Sequence, residues 1–134
     1  MLLTGALAAC GGGSDGRKTT VKACGGKTSA KVGKTFNFST LAHNLSGTAT
    51  VIDDCTIELT RFNCDGGGLP DVYGWGGMGG EYRKGFRIGG NLFGVQRSNA
   101  TERVSLQAGD LDKLDGISIW CERAGASFGD GIFR

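Results

Sequence analysis

Cys55-Thr56-Ile57-Glu58-Leu59-Thr60-Arg61-Phe62 alternates apolar and polar side chains, so that Cys55, Ile57 and Leu59 share one face while Thr56, Glu58, Thr60 and Phe62 share the other. A period of two belongs to an extended strand with one face in a core and one toward solvent. Similar short runs occur at Phe36–Thr40, Ser46–Ile52, Val72–Gly76, Lys84–Ile88, Leu92–Arg97, Arg103–Gln107 and Gly116–Glu122, separated by Asp-Asp, Gly-Gly, Ser-Asn and Gly-Asp turn signals. The pattern predicts an all-β fold: a single small β-sandwich, or a partly closed barrel, of about eight short antiparallel strands. One helical turn at Asp110–Leu114 is left open. No repeat of fixed period is visible, which disfavours a propeller or β-helix.

Composition narrows the function classes. Glycine supplies 26 of 134 residues, which argues against long helices because each ordered glycine costs backbone entropy. With 39% hydrophobic and 21% charged residues, the chain is too apolar for a disordered tail and too polar for a membrane-spanning protein. A single histidine excludes any mechanism that needs two imidazoles. Residues 1–34 hold six Lys/Arg against Asp15, whereas residues 35–134 hold nine Lys/Arg against twelve Asp/Glu. The body is therefore acidic, its aromatic residues do not interleave with a basic stripe, and nucleic acid is not an expected partner.

Residues 1–9 are apolar, too short to cross a bilayer, and end in small residues before Cys10. Leu7-Ala8-Ala9-Cys10 resembles the lipobox of bacterial lipoproteins, whose cysteine is lipidated and becomes the mature N-terminus. The expected organisation is a signal-peptide remnant over 1–9, a lipidated, flexible basic tether over 10–34, and the β domain over 35–134. That organisation implies an extracytoplasmic, membrane-anchored lipoprotein of the bacterial envelope, at the outer membrane or facing the periplasm, with the membrane as a partner through Cys10.

Outside the cytoplasm thiols tend to be oxidised, so Cys24, Cys55, Cys64 and Cys121 are candidates for two disulfides in one of three connectivities. On the last predicted strand Ile117, Ile119 and Cys121 share a face, as Cys55, Ile57 and Leu59 do. Strand parity therefore pairs Cys55 with Cys121 inside the core. It puts Cys64 on the opposite face unless a bulge resets the register, and leaves Cys24–Cys64 as an outer clamp on the tether.

Several segments together, His43-Asn44-Leu45-Ser46-Gly47-Thr48-Ala49, Thr56-Ile57-Glu58-Leu59, Phe62-Asn63-Cys64-Asp65-Gly66-Gly67-Gly68-Leu69-Pro70-Asp71-Val72, Ile117-Ser118-Ile119-Trp120-Cys121-Glu122 and Phe128-Gly129-Asp130-Gly131-Ile132-Phe133, resemble the DM-thirteen domain. This is the Skeletor-type "electron transfer" domain of animal surface proteins and bacterial lipoproteins. The resemblance implies a β-sandwich whose cysteine of proposed redox importance maps onto Cys121, acting as a bare thiol or as a ligand to a prosthetic group such as haem. It thereby implies participation in extracytoplasmic electron transfer centred on Cys121, with Cys55 as its redox or structural partner and a further envelope protein as redox partner. Two features depart from the family pattern. Cys64 stands where many relatives have an aromatic residue, and Cys55 is a ready partner for Cys121.

His43 and Cys121 are the protein-derived pair to name if haem binds. Asp53, Asp54, Asp65 and Asp71 lack EF-hand spacing, so turn formation explains them better than a metal ion. The run from Gly66 to Gly80 contains eight glycines, and is predicted as a loop able to hold a ligand through Asp65, Asp71, Tyr73 and Trp75. The reading from a second function class is accordingly a non-catalytic, disulfide-stapled binding module at the cell envelope. No catalytic triad assembles around the lone His43.

Overall fold

The computed structural model describes Cys24 and residues 26–134. Residues 1–9, the lipidation candidate Cys10 and most of the predicted tether lie outside the described residues. The fold is a β-sandwich of eight strands: β1 (Thr35–Asn37), β2 (Ser46–Asp53), β3 (Thr56–Cys64), β4 (Val72–Gly77), β5 (Phe86–Ile88), β6 (Arg97–Ser105), β7 (Gly116–Cys121) and β8 (Ala126–Ile132). They form two four-stranded antiparallel sheets, ordered β1-β2-β3-β6 and β5-β4-β7-β8. Asp110–Lys113 forms a short 3-10 turn, as does Tyr82–Lys84. Among the described residues no helix is long and apolar enough to cross a membrane.

Alternation fills the space between the sheets. Ala49, Val51, Ile57, Leu59 and Phe62 enter from the first sheet, and Val72, Ile88, Ile117, Ile119 and Phe128 from the second. Each fully buried Leu, Ile or Phe contributes about 1.5–3 kcal/mol of transfer free energy, which offsets the backbone entropy of ordering so many glycines. The outer edge of β8 is not left bare. Ser39 N donates to Asp130 O at 2.9 Å, and Leu41 N to Phe128 O at 2.9 Å, so the chain after β1 covers it.

Three strand expectations are corrected. Leu92–Arg97 is irregular, and β6 begins only at Arg97; Asn91 accepts from Val72 N and Phe93 N there, making a turn of residues that alternate by chance. β8 was not anticipated, because Gly129 and Gly131 interrupt its side-chain pattern. Those glycines are packing positions: a Cβ on Gly131 would collide with the Phe36 ring, and one on Gly129 with the backbone of Ser39. The third correction is parity within β3. The pairing with β6 shifts between Leu59 and Phe62 and again between Phe62 and Cys64, and Arg61 takes a left-handed φ of 48°. This bulge turns Phe62 and Cys64 inward, leaving both buried.

The predicted disulfides are also corrected. Cys55 is bonded to Cys24, across a Cα–Cα distance of 5.2 Å, while Cys64 and Cys121 are free thiols. Cys55 and Cys121 do not meet because they occupy opposite ends of the sandwich. Cys55 precedes β3, whereas Cys121 pairs with Val72, which begins β4 after β3 has run its full length of about 30 Å. Shared parity puts two residues on facing surfaces and does not set their height. The stretch 26–34 is docked rather than loose. Asp54, 3% exposed, accepts from Thr28 N, Thr28 Oγ1 and Ser29 N at 2.7–3.0 Å, and Asp54 N donates to Gly26 O at 2.8 Å. Lys31 Nζ donates to Leu111 O, and Val32 packs against the core.

Candidate functional site

The end of the sandwich opposite the disulfide is closed by the β3–β4 connection, residues 65–71. Its path is set by glycines at left-handed φ, 78° at Gly66 and 101° at Gly68. Three successive residues of this loop lie against three different side chains. A Cβ on Gly67 would come within 2.9 Å of His43 Nδ1, and one on Gly68 within 2.7 Å of Phe128 Cζ. The Leu69 carbonyl lies 3.7 Å from Cys121 Sγ, within reach of a weak S–H donor. Only glycine lets the loop approach this closely.

His43 is held from several sides. Its Nδ1 lies 2.9 Å and 3.2 Å from the two Asp65 carboxylate oxygens, its carbonyl accepts from Asp65 N at 3.0 Å, and its ring centroid is 4.3 Å from that of Phe128. A carboxylate only accepts, so Nδ1 carries the proton and donates to Asp65. Asp65 Oδ1 also accepts from Gly67 N at 2.7 Å. That backbone donor, with the His43 hydrogen bond behind it, holds the Asp65 carboxyl below its ordinary value of 3.8. His43 and Asn44 both have φ of 55°, two successive left-handed residues without glycine's freedom, and the Asp65 contacts hold the first of them in place.

Cys121 is 1% exposed and Cys64 3%, and both thiols belong to the common core. They end β7 and β3 on the inner faces of facing sheets, at the same end of the sandwich. The predicted His43–Cys121 pair does not fit a haem in this arrangement. The Phe128 ring packs against His43 and Gly68 lies against Phe128, while Cys121 is 1% exposed with the Leu69 carbonyl 3.7 Å from its sulfur and Val72 paired beside it, so neither side chain has room for a haem face.

Residues 37–132 match the family described as Electron transfer DM13, which covers both sheets and the loop just described. The chain belongs to the DM13 electron-transfer family. It is also 30% identical, over 107 residues, to a cytochrome b561, DM13 and DOMON domain-containing protein of Arabidopsis thaliana; the match takes in 76% of this chain and 12% of the relative, so the chain spans about an eighth of that protein's length. No solved structure matches.

The remaining predicted site residues of the DM13 domain fall elsewhere. Tyr73 and Trp75 lie within β4, which the expected strand Val72–Gly76 anticipated and the expected Gly66–Gly80 loop did not, and they sit on its outward face because Val72, Gly74 and Gly76 are the buried positions. Tyr73 pairs with Trp120 across the sheet, and Trp75 with Ser118 and Arg87. Arg87 stacks over Tyr73 at 4.2 Å and forms a bidentate pair with Glu122, which also accepts from Trp75 Nε1 at 2.8 Å. The Arg87 guanidinium, helped by the indole N–H, keeps the Glu122 carboxyl below its usual range. Asp71 accepts from Arg123 Nε at 2.8 Å, Asp53 from Cys55 N at 2.9 Å. No group of three or more His, Cys, Asp or Glu suited to a metal ion occurs among the described residues.

Proposed function

We propose that this DM13 domain carries electrons outside the cytoplasm through the Cys121 thiol, with Cys64 as its partner in place of Cys55. The observation that carries this reading is the Cys24–Cys55 bond. It ties up Cys55 at the far end of the sandwich and leaves Cys64 and Cys121 as two free, buried thiols of one core at the loop-covered end. Oxidation joins Sγ of Cys64 to Sγ of Cys121, releases both thiol protons to water and passes two electrons, one at a time, to two equivalents of an oxidised cytochrome. A cytochrome suits the acceptor role because the Arabidopsis relative is named for a cytochrome b561 domain beside its DM13 domain. The Gly66–Gly68 segment supplies the freedom for the strand ends to approach.

The same reading puts the domain at an envelope surface, tethered by a lipid on Cys10. A structural disulfide suits an oxidising compartment. Lipidation is tested by metabolic labelling with an alkyne fatty acid, expected to be lost in Cys10→Ala.

The redox role is tested by peptide mapping of alkylated protein equilibrated across a graded dithiol/disulfide series. The expected result is a single two-electron transition in which the Cys64 and Cys121 thiols disappear together, abolished in Cys121→Ser and in Cys64→Ser, with Cys24–Cys55 unchanged. Thiols that stay reduced across the series, or a transition that survives Cys121→Ser, would overturn it.

A further inference from the structure

The outer face of the second sheet carries a groove that the thiols do not use. It is an open depression of about 330 Å3 lined by Trp75, Tyr82, Arg83, Trp120, Glu122 and Gly125. Trp75 and Trp120 are diagonal neighbours on β4 and β7, both half-buried, with the small Ser118 beside them. Ser118 is fully buried and its hydroxyl is satisfied by Ser127 at 2.7 Å, so the floor between the indoles makes no polar demand. Tyr82 closes one side, its hydroxyl donating away from the groove to Gly131 O at 3.2 Å.

The rim is polar and of both signs. Arg83 stands 5.4 Å over the Trp120 ring and spends one hydrogen bond on Gly125 O at 3.2 Å, leaving its other N–H groups to solvent. Glu122 sits across from it with acceptor capacity beyond its bonds to Arg87 and Trp75. The Trp120 indole N–H has no partner among the described residues.

We propose that this groove binds a hexose unit of a neutral saccharide chain. A sugar ring has a flat C–H face that packs on an aromatic surface, and hydroxyls that both donate and accept. Those hydroxyls accept from Arg83 and Trp120 and donate to Glu122. A phosphate diester or planar quinone only accepts and leaves the remaining acceptor position of Glu122, beyond its bonds from Arg87 and Trp75, unused, while an alkyl chain would strip water from both charged rim groups without replacing it. This site is independent of the electron-transfer reading, since its residues face away from Cys64 and Cys121.

The chain has two tryptophans, both in the groove, so tryptophan emission, excited selectively over tyrosine, reports this site alone. Titration of the protein with cellohexaose, chitohexaose and mannohexaose is expected to give a saturable emission change with at least one of them. Affinity should fall about tenfold in Arg83→Ala, which touches no core residue, and in Trp120→Ala, equivalent to about 1.4 kcal/mol each. Trp120→Phe, which keeps an aromatic face but loses the indole N–H, should weaken binding less than Trp120→Ala, and Cys121→Ser should bind as the native protein does. Absence of a saturable change with all three sugars, unaltered affinity in Arg83→Ala, or saturation by menadione and not by sugars would overturn the proposal.

Discussion

The two ends of the sandwich are built to opposite specifications. At the start of β3 a disulfide, the buried Asp54 carboxylate and the docked 26–34 stretch tie the chain down with covalent and charge-assisted bonds. At its finish two cysteines remain reduced, and a loop with three successive glycines lies over them. The same residue type is thus a staple at one end and a free group at the other. Height along the strands and the β3 bulge decide which role each cysteine takes. One end is cross-linked covalently, and the end proposed to carry the redox chemistry is held by non-covalent contacts.

The largest break in this contrast comes from the staple. Replacing Cys24 and Cys55 together by Ser opens a 31-residue separation and is expected to lower unfolding stability by about 3–4 kcal/mol on the chain-entropy account. Equilibrium denaturation under non-reducing conditions measures it. The double substitution should leave the Cys64 and Cys121 redox transition in place. Its loss would mean that the two ends are not separate.

A smaller effect is expected at the other end. Gly68→Ala adds a Cβ at a φ of 101° and drives it into Phe128, so stability should fall by about 1–3 kcal/mol. The distinguishing readout is thiol access. Displacing Phe128 and lifting Leu69 uncovers Cys121, and its alkylation under native conditions should accelerate, whereas Gly79→Ala, where a Cβ meets nothing within 4 Å, should leave it unchanged.

The sandwich was legible because period-two alternation in β2, β3, β4 and β7 survives into the fold with little change of boundaries. What parity could not reveal was position along the strand. Cys55 and Cys121 do project toward a common interior side in the strand pattern, yet one precedes β3 and the other ends β7. The bulge at Arg61 was equally hidden, since Thr-Arg-Phe-Asn continues a plausible alternation and only the pairing with β6 exposes the extra residue. β8 escaped because its glycines are shaped by Phe36 and Ser39, which are remote in sequence. At the candidate sites the signal was partly available. Once Cys121 faces in, Trp120 must face out beside Tyr73, so the aromatic face followed from parity. Arg83 and Glu122 did not, because a turn and a strand end bring them there.

The smallest expected effect tests how the loop-covered end is held. Asp65 has its folded pKa lowered below 3.8, first by the Gly67 N–H and then by His43. A carboxylate with a depressed folded pKa contributes stability that is fully present above the unfolded value and is lost as pH falls through the folded one. Asp65 is exposed, so solvent screens the contribution and the effect is confined to the acid limb. Asp65→Asn keeps an acceptor for Gly67 but does not titrate. The urea midpoints of the two proteins should therefore differ above pH 3.8 and converge as pH drops below it, with the native protein carrying the steeper acid slope. Midpoints that stay parallel through this window would show that the carboxylate charge does not hold His43 and the loop in place, and that the glycine contacts alone seal this end.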